Sequence, residues 1–171
     1  MNKTDLETIV TKIVKETISA QGKKDSGKPL PPPPALTLSA AKEIIRRVEE
    51  RAKSMGVRAV VAVYSAEAHP IAVECMDGAY IASYDIATGK AYTAASLQMS
   101  TADLKPLAQP GGSLYGIEHT GGGKIVIFGG GELLLRGGVI RGSVGVSGGT
   151  EEEDTALARY GQSVFGDITL L

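Results

Sequence analysis

Residues 121–149 read GGGKIVIFGGGELLLRGGVIRGSVGVSGG, and this stretch decides the fold. Short apolar runs alternate with clusters of glycine at turn spacing, a pattern typical of antiparallel strands joined by tight turns. Gly142 and Gly145 lie inside the third run, where the missing side chain indicates that another backbone approaches closely. The stretch therefore predicts an antiparallel meander with strands at Lys124–Phe128, Glu132–Arg136 and Val139–Val146.

A helix and two further strands are predicted before the meander. Ser39 is the predicted N-cap of the helix, and Gly56 is predicted to end it. The apolar residues at helical spacing are Ala41, Ile44, Ile45, Val48, Ala52 and Met55. Val57–Tyr64 and Ile71–Met76 have the β-branched, apolar composition of strands, and the SAEAHP between them predicts a hairpin turn.

An alanine-rich helix is predicted to follow the hairpin. From Tyr84 onwards small residues return at helical spacing, which predicts a helix pressed closely against a sheet or another helix. These residues are Ala87, Ala91, Ala94 and Ala95. Ser100 with Asp103 has the form of a capping box, so a short helix is expected at Thr101–Leu107.

The last predicted helix follows the glycine-rich stretch. Thr150 with Glu153 forms a second capping box, and the acidic residues of the first turn suit the positive end of a helix. Gly161 is predicted to lie near the end of this helix. Together the elements predict an α+β fold, in which one antiparallel sheet of about five strands has helices packed on its faces.

The composition excludes several classes of function. The chain has 171 residues and a net charge of −1, so it presents no basic field for nucleic acid. Cys75 is the only cysteine, which excludes an internal disulfide and any cysteine-cluster zinc or iron–sulfur site within one chain. Asp5 and Glu7 stand where a secretory signal needs basic residues, and no apolar run is long enough to span a bilayer. We therefore expect a soluble, cytoplasmic protein.

The glycines do not form a nucleotide-binding motif. A phosphate-binding loop would require glycine and a hydroxyl residue at the positions that Glu118 and Ile125 occupy around Lys124. The chain also lacks the glycine pattern of dinucleotide-binding folds, because other residues stand where the third glycine of that pattern is required. Ser147 lacks the strand–turn–helix context of a hydrolase nucleophile. The glycines of this stretch are better interpreted as turn residues.

The two histidines, His69 and His119, are the candidate cofactor ligands. They lie fifty residues apart, so no local pair of metal ligands exists, and a surface role is the commoner one for each. One imidazole is nevertheless enough to ligate a haem iron. The weaker candidate ligands are Cys75, Met76 and Met99. Lys90 is expected to be a solvated helix lysine, and its pKa would be depressed only if it were buried against the alanine face.

The amino-terminal residues predict a separate helix. The segment DLETIVTKIVKETI, residues 5–18, has an apolar stripe at helical spacing with charged residues on its other side. The stripe consists of Leu6, Ile9, Val10, Ile13, Val14 and Ile18. The tract GKKDSGKPLPPPP at residues 22–34 cannot continue a helix, and it favours an extended linker. The stripe therefore needs a partner, either the main domain or another protein.

The central and carboxy-terminal phrases of the chain resemble the GlcG/HbpS-like family, which includes the C-terminal domain of PduO proteins. These phrases are VVAVYSAEAHPIAVECMDGA (60–79), DIATGKAYTAASLQMST (85–101) and FGGGELLLRGGVIRGSVGVSGGTEEED (128–154). The most specific pattern is G-x-x-x-G-x-x-G-V-S-G-G-T-x-x-x-D, from Gly138 to Asp154. The resemblance, from Leu36 to Phe165, implies a profilin-like fold, assembly into dimers and octamers, and haem binding in some members.

Two departures from the family bear on function. The hairpin turn commonly has Asp and Gly in relatives, whereas this chain has SAEAHP, which places His69 where most relatives have no histidine. The adenosyltransferase domain that precedes the module in PduO proteins has no counterpart before Leu36, so cobalamin adenosylation is not expected.

The first residues resemble the encapsulation peptides of bacterial microcompartment enzymes. Such peptides are short amphipathic helices that a flexible or Pro/Gly-rich linker joins to the cargo. The resemblance implies three parts, namely an encapsulation-like helix at 1–20, a proline-rich linker at 21–35, and a GlcG/HbpS-like domain at 36–171. The implied partner of residues 1–20 is a shell protein or other cargo, and the implied location is the inside of a cytoplasmic microcompartment.

Three hypotheses of function follow. The leading one is a microcompartment cargo protein that binds haem and serves in redox chemistry or cofactor maintenance. The second is an enzyme of the compartment pathway that acts on a small organic substrate, with Lys90, Glu118 and His119 as candidate residues. The third is a structural homo-oligomer without a ligand.

Overall fold

A four-stranded antiparallel sheet with helices on both faces makes up residues 35–168, the part of the chain that the computed structural model describes. In chain order the elements are α1 (Leu38–Ser54), β1 (Val60–Ser65), β2 (Pro70–Cys75), α2 (Ser83–Leu97), α3 (Thr101–Ala108), a 3₁₀ turn (Ile117–His119), β3 (Gly131–Arg136), β4 (Val139–Ser147) and α4 (Glu151–Phe165). The strand order across the sheet is β2-β1-β4-β3. The predicted α+β class is confirmed. No helix within residues 35–168 is both long and apolar enough to cross a membrane.

The main core lies between one face of the sheet and the helices α1 and α4. Its fully buried side chains include Ile44, Ile45, Val61, Val144, Leu157 and Phe165. Helix α1 begins after Thr37, whose Oγ1 accepts a hydrogen bond from Ala40 N at 3.2 Å, so the predicted N-cap Ser39 was two residues too late. The end of α1 agrees with the prediction, because Gly56 follows it with φ of +73°.

Helix α2 packs on the opposite face of the sheet at very short range. Ala87 and Ala91 are fully buried against β1. A Cβ at Gly145 would lie 2.1 Å from Ala87 O and 2.6 Å from Ala91 N. Ser143 on β4 donates its hydroxyl to Ala91 O at 2.7 Å. The sequence predicts a close approach at the alanine face and at the strand glycine. The structure confirms it, because the backbones of α2 and β4 are in contact there.

Lys124–Phe128 does not form the predicted first strand of the meander. Val126 N donates to Thr93 Oγ1 of α2 at 2.9 Å, so this run is hydrogen-bonded to a helix side chain. The run fits there because residue 89 is glycine, and a Cβ on Gly89 would lie 2.7 Å from Val126 Cγ2. The sheet consequently has four strands instead of about five, and the meander is reduced to the β3–β4 hairpin.

Helix α4 begins as predicted and ends later. Thr150 Oγ1 accepts from Glu153 N at 3.2 Å, and Glu153 Oε2 accepts from Thr150 N at 2.8 Å, which confirms the capping box. The helix continues to Phe165, so the predicted end near Gly161 was wrong. A Cβ on Gly161 would lie 3.1 Å from Val48 Cγ2 of α1, so this glycine allows a close helix crossing and does not end the helix.

Candidate functional site

The hairpin turn between β1 and β2 carries His69. Ser65 N donates to His69 O at 2.8 Å, and Ala68 N donates to Ser65 O at 3.1 Å, which closes the turn. Ala68 has φ of +59°, a left-handed conformation that costs a residue other than glycine about 1–2 kcal/mol. Backbone hydrogen bonds therefore hold the turn in a strained shape, and the side chain of His69 is exposed.

A groove of about 930 Å³ lies where this hairpin, helix α2 and the loop before β3 meet. Ligand pockets in proteins are typically ~300–1,000 Å³, so the groove has the size of a small-molecule site. Its chemically distinctive lining residues are Tyr64, Glu67, His69, Asp85, Tyr92 and Lys124. The lining thus combines an imidazole, two phenols, two carboxylates and one ammonium group.

The environment sets the ionisation of two groove residues. Burial, with a smaller contribution from nearby Tyr84, raises the pKa of Tyr64 above its usual 10.0. The Tyr64 phenol is therefore protonated at neutral pH and is a poor anionic ligand for a metal. The neighbouring hydroxyl of Ser65 lowers the pKa of the Glu67 carboxyl, with a minor contribution from His69. Glu67 is consequently ionised at neutral pH.

His119 lies outside this groove. It ends the 3₁₀ turn, its side chain is 85% exposed, and its Nε2 lies 3.9 Å from Glu118 Oε1. The other carboxylate oxygen of Glu118 is buried and has no hydrogen-bond partner among residues 35–168. Of the two candidate histidines, only His69 lines the groove.

Lys90 differs from its sequence-based expectation. It is fully buried, and its Nζ donates to Asp154 Oδ2 at 2.7 Å and to Val146 O at 2.8 Å. The ring of Phe128 lies 5.0 Å from the same atom. Burial lowers the pKa of Lys90, and the neighbouring Asp154 opposes that shift. The ammonium group therefore joins α2, β4 and the start of α4, and it is not beside Glu118 or His119, the other candidate catalytic residues.

The sulfur-containing candidate ligands also lie away from the groove. Cys75 is exposed at the end of β2. Met76 Sδ accepts a hydrogen bond from Ala59 N at 3.3 Å, and Met99 packs against the buried side chains of Leu104, Ala108 and Ile125. No group of three or more His, Cys, Asp or Glu side chains within residues 35–168 is arranged to hold a metal ion. His69 is therefore the strongest iron ligand that the groove offers.

Curated relatives match most of the described region. The chain is 40% identical over 133 residues to the "uncharacterized 15.0 kDa protein in dhaT-dhaS intergenic region" of Citrobacter freundii, a match that covers 78% of this chain and 94% of that protein. It is 36% identical over 127 residues to the corrinoid adenosyltransferase PduO of Salmonella typhimurium. That second match covers 74% of this chain but only 38% of PduO.

Solved structures of proteins with related sequences share the fold of this chain. The Klebsiella pneumoniae protein ORFY superposes with a TM-score of 0.78 at 34% identity, over 84% of this chain and 99% of that chain. The PduOC:heme complex superposes with a TM-score of 0.74 at 33% identity, over 80% of this chain and 98% of that chain. The family model described as "Haem degrading protein HbpS-like" matches residues 36–163. The chain is therefore a member of the HbpS-like family.

Proposed function

We propose that this protein binds haem in the groove between the β1–β2 hairpin and α2, with His69 as the axial ligand, and that it works as cargo of a bacterial microcompartment. The single observation that carries the haem site is the position of His69 in the lining of that groove. The PduOC relative is described as a heme complex, and the family description refers to haem degradation, which supports the choice of ligand.

The residues of the groove fit such a ligand. Tyr64 and Tyr92 offer aromatic rings to a flat macrocycle, and His69 offers a nitrogen that can bind iron. The raised pKa of Tyr64 leaves its phenol neutral, so Tyr64 does not compete with the imidazole as a phenolate ligand. The backbone hydrogen bonds at Ser65 hold the turn that carries His69. Bound haem would supply one-electron and oxygen chemistry, and its potential would depend on the axial ligand.

Replacement of His69 by Ala is expected to abolish the Soret shift that the unaltered chain produces when haem is added. The physical reason is that His69 is the imidazole in the groove lining, so its loss removes the iron ligand. The matched control is His119→Ala, which removes an exposed imidazole outside the groove and should leave the spectrum unchanged. An unchanged spectrum in both variants, or no shift with the unaltered chain, would overturn the proposed haem site.

The microcompartment role depends on residues 1–20, which lie outside the described residues. Its support is the predicted amphipathic stripe and the resemblance to encapsulation peptides. Assembly into dimers or octamers likewise remains a prediction from the family resemblance. It is consistent with two large apolar side chains before α2, Tyr80 at 75% and Ile81 at 97% exposure.

The double change Ile9→Asp and Ile13→Asp is expected to abolish co-localisation with microcompartment shells. Two carboxylates on the predicted apolar stripe would each oppose its burial against a partner. Fluorescence microscopy of tagged chains in cells that form shells measures this. Thr8→Asp with Ser19→Asp adds the same charge to the opposite side of the predicted helix and should leave co-localisation intact. Equal encapsulation of both double variants would contradict the tether.

A further inference from the structure

We propose that Lys124 receives a carboxylate of the groove's ligand, so that the site selects a tetrapyrrole that carries free acid side chains over its ester. The inference rests on the proposed haem site and adds to it the chemical group that is recognised. Its basis is the position of Lys124 in the groove lining, with Nζ 5.5 Å from the centroid of the Tyr92 ring.

The backbone of Lys124 is anchored to helix α2. Val126 N donates to Thr93 Oγ1 at 2.9 Å, two residues after Lys124. A Cβ on Gly89 would lie 3.2 Å from Lys124 O, so the loop backbone rests directly on the helix. Ile125, between these two loop residues, is only 8% exposed. The origin of the Lys124 side chain is therefore fixed relative to the floor of the groove.

The charge of Lys124 is not neutralised within the described residues. Every salt bridge found in residues 35–168 involves other side chains. The contact that Lys124 does make is to the ring face of Tyr92, which attracts a cation without carrying an opposite charge. An ammonium group that extends from a fixed backbone and has no carboxylate partner is suited to receive an anion.

The other charged residues of the groove support Lys124 as the partner of the ligand's carboxylate. Glu67 and Asp85 are carboxylates, so they would repel an anionic ligand group placed beside them. Among the described residues that line the groove, Lys124 is the only lysine or arginine. An acidic group of the ligand therefore has one favourable partner there. Haem carries two propionates on the edge of its macrocycle, and a single lysine can pair with one of them.

The test compares haem with haem dimethyl ester, which has the same iron and macrocycle but no free propionates. We expect the unaltered full-length chain to bind haem more tightly than the ester in Soret titrations. Lys124→Met should weaken haem binding by roughly fivefold, the value of an exposed ion pair, and leave binding of the ester unchanged. Lys53→Met, an exposed change on α1 across the sheet from the groove, should retain the preference for haem.

The outcomes separate this inference from the haem site itself. If Lys124→Met and the unaltered chain show the same preference, while His69→Ala loses the Soret shift, the role of Lys124 is wrong and the haem site stands. If the unaltered chain binds neither porphyrin, both proposals fall. Loss of the preference in Lys124→Met but not in Lys53→Met supports the carboxylate assignment.

Discussion

Replacement of Lys90 by Met is expected to lower the free energy of unfolding by about 3–5 kcal/mol, because it leaves a buried carboxylate without its counter-ion. Asp154 is only 4% exposed, and its Oδ2 receives the Lys90 ammonium at 2.7 Å. Its other oxygen accepts from Gly149 N at 2.9 Å, so the carboxylate is fixed at the start of α4 and cannot turn to solvent. Chemical denaturation at neutral pH measures the loss.

Two matched variants identify the cause of that loss. Lys105→Met removes a lysine whose 2.6 Å pair with Glu151 is half exposed, and it should cost less than about 1 kcal/mol. Adding Asp154→Asn to Lys90→Met removes the stranded charge while keeping an oxygen for Gly149 N, and it should recover much of the lost stability. A change below about 1 kcal/mol in Lys90→Met would show that the pair does not stabilise the fold.

The second large effect is expected at the contact between β4 and α2. Gly145→Ala should lower the free energy of unfolding by more than about 3 kcal/mol or prevent folding. The added Cβ would lie 2.1 Å from Ala87 O and 2.6 Å from Ala91 N, and backbone atoms in the middle of a helix cannot move aside singly. Helix α2 would have to separate from the sheet, which would also displace the floor of the groove.

The control for this prediction is Gly166→Ala. Gly166 follows α4 with a helical φ of −56°, and the closest atom to an added Cβ is Ser163 O at 3.3 Å. Its replacement should change the free energy of unfolding by less than about 1 kcal/mol. Thermal and urea unfolding of the two variants measure the difference. Equal stability of Gly145→Ala and the unaltered chain would refute the close contact.

The sequence predicted the elements whose stabilising contacts are local. The stripe of α1, the alanine face of α2 and the Thr150 capping box each appear within a few residues, and each matches the structure. Lys124–Phe128 was mistaken for a strand because its apolar composition is also that of an extended segment packed on a helix. The hydrogen bond to Thr93 that decides between the two joins residues far apart in the sequence.

The candidate site was predictable only in part, for the same reason. His69 was visible because the chain has only two histidines. The groove was not, because its lining comes from a hairpin, a helix and a loop between Tyr64 and Val126. Lys90 was expected to be solvated because its partner Asp154 lies 64 residues away, and the two meet only where the end of β4 leads into the start of α4.

The position of the iron in crystals grown with haem tests the proposed site most directly. Anomalous scattering at the iron edge locates the metal without reference to the protein spectrum. We expect one iron peak per chain, in the groove and within bonding distance of the His69 imidazole. A peak beside His119 or Cys75, or crystals that contain folded protein and no ordered iron, would contradict the proposed site.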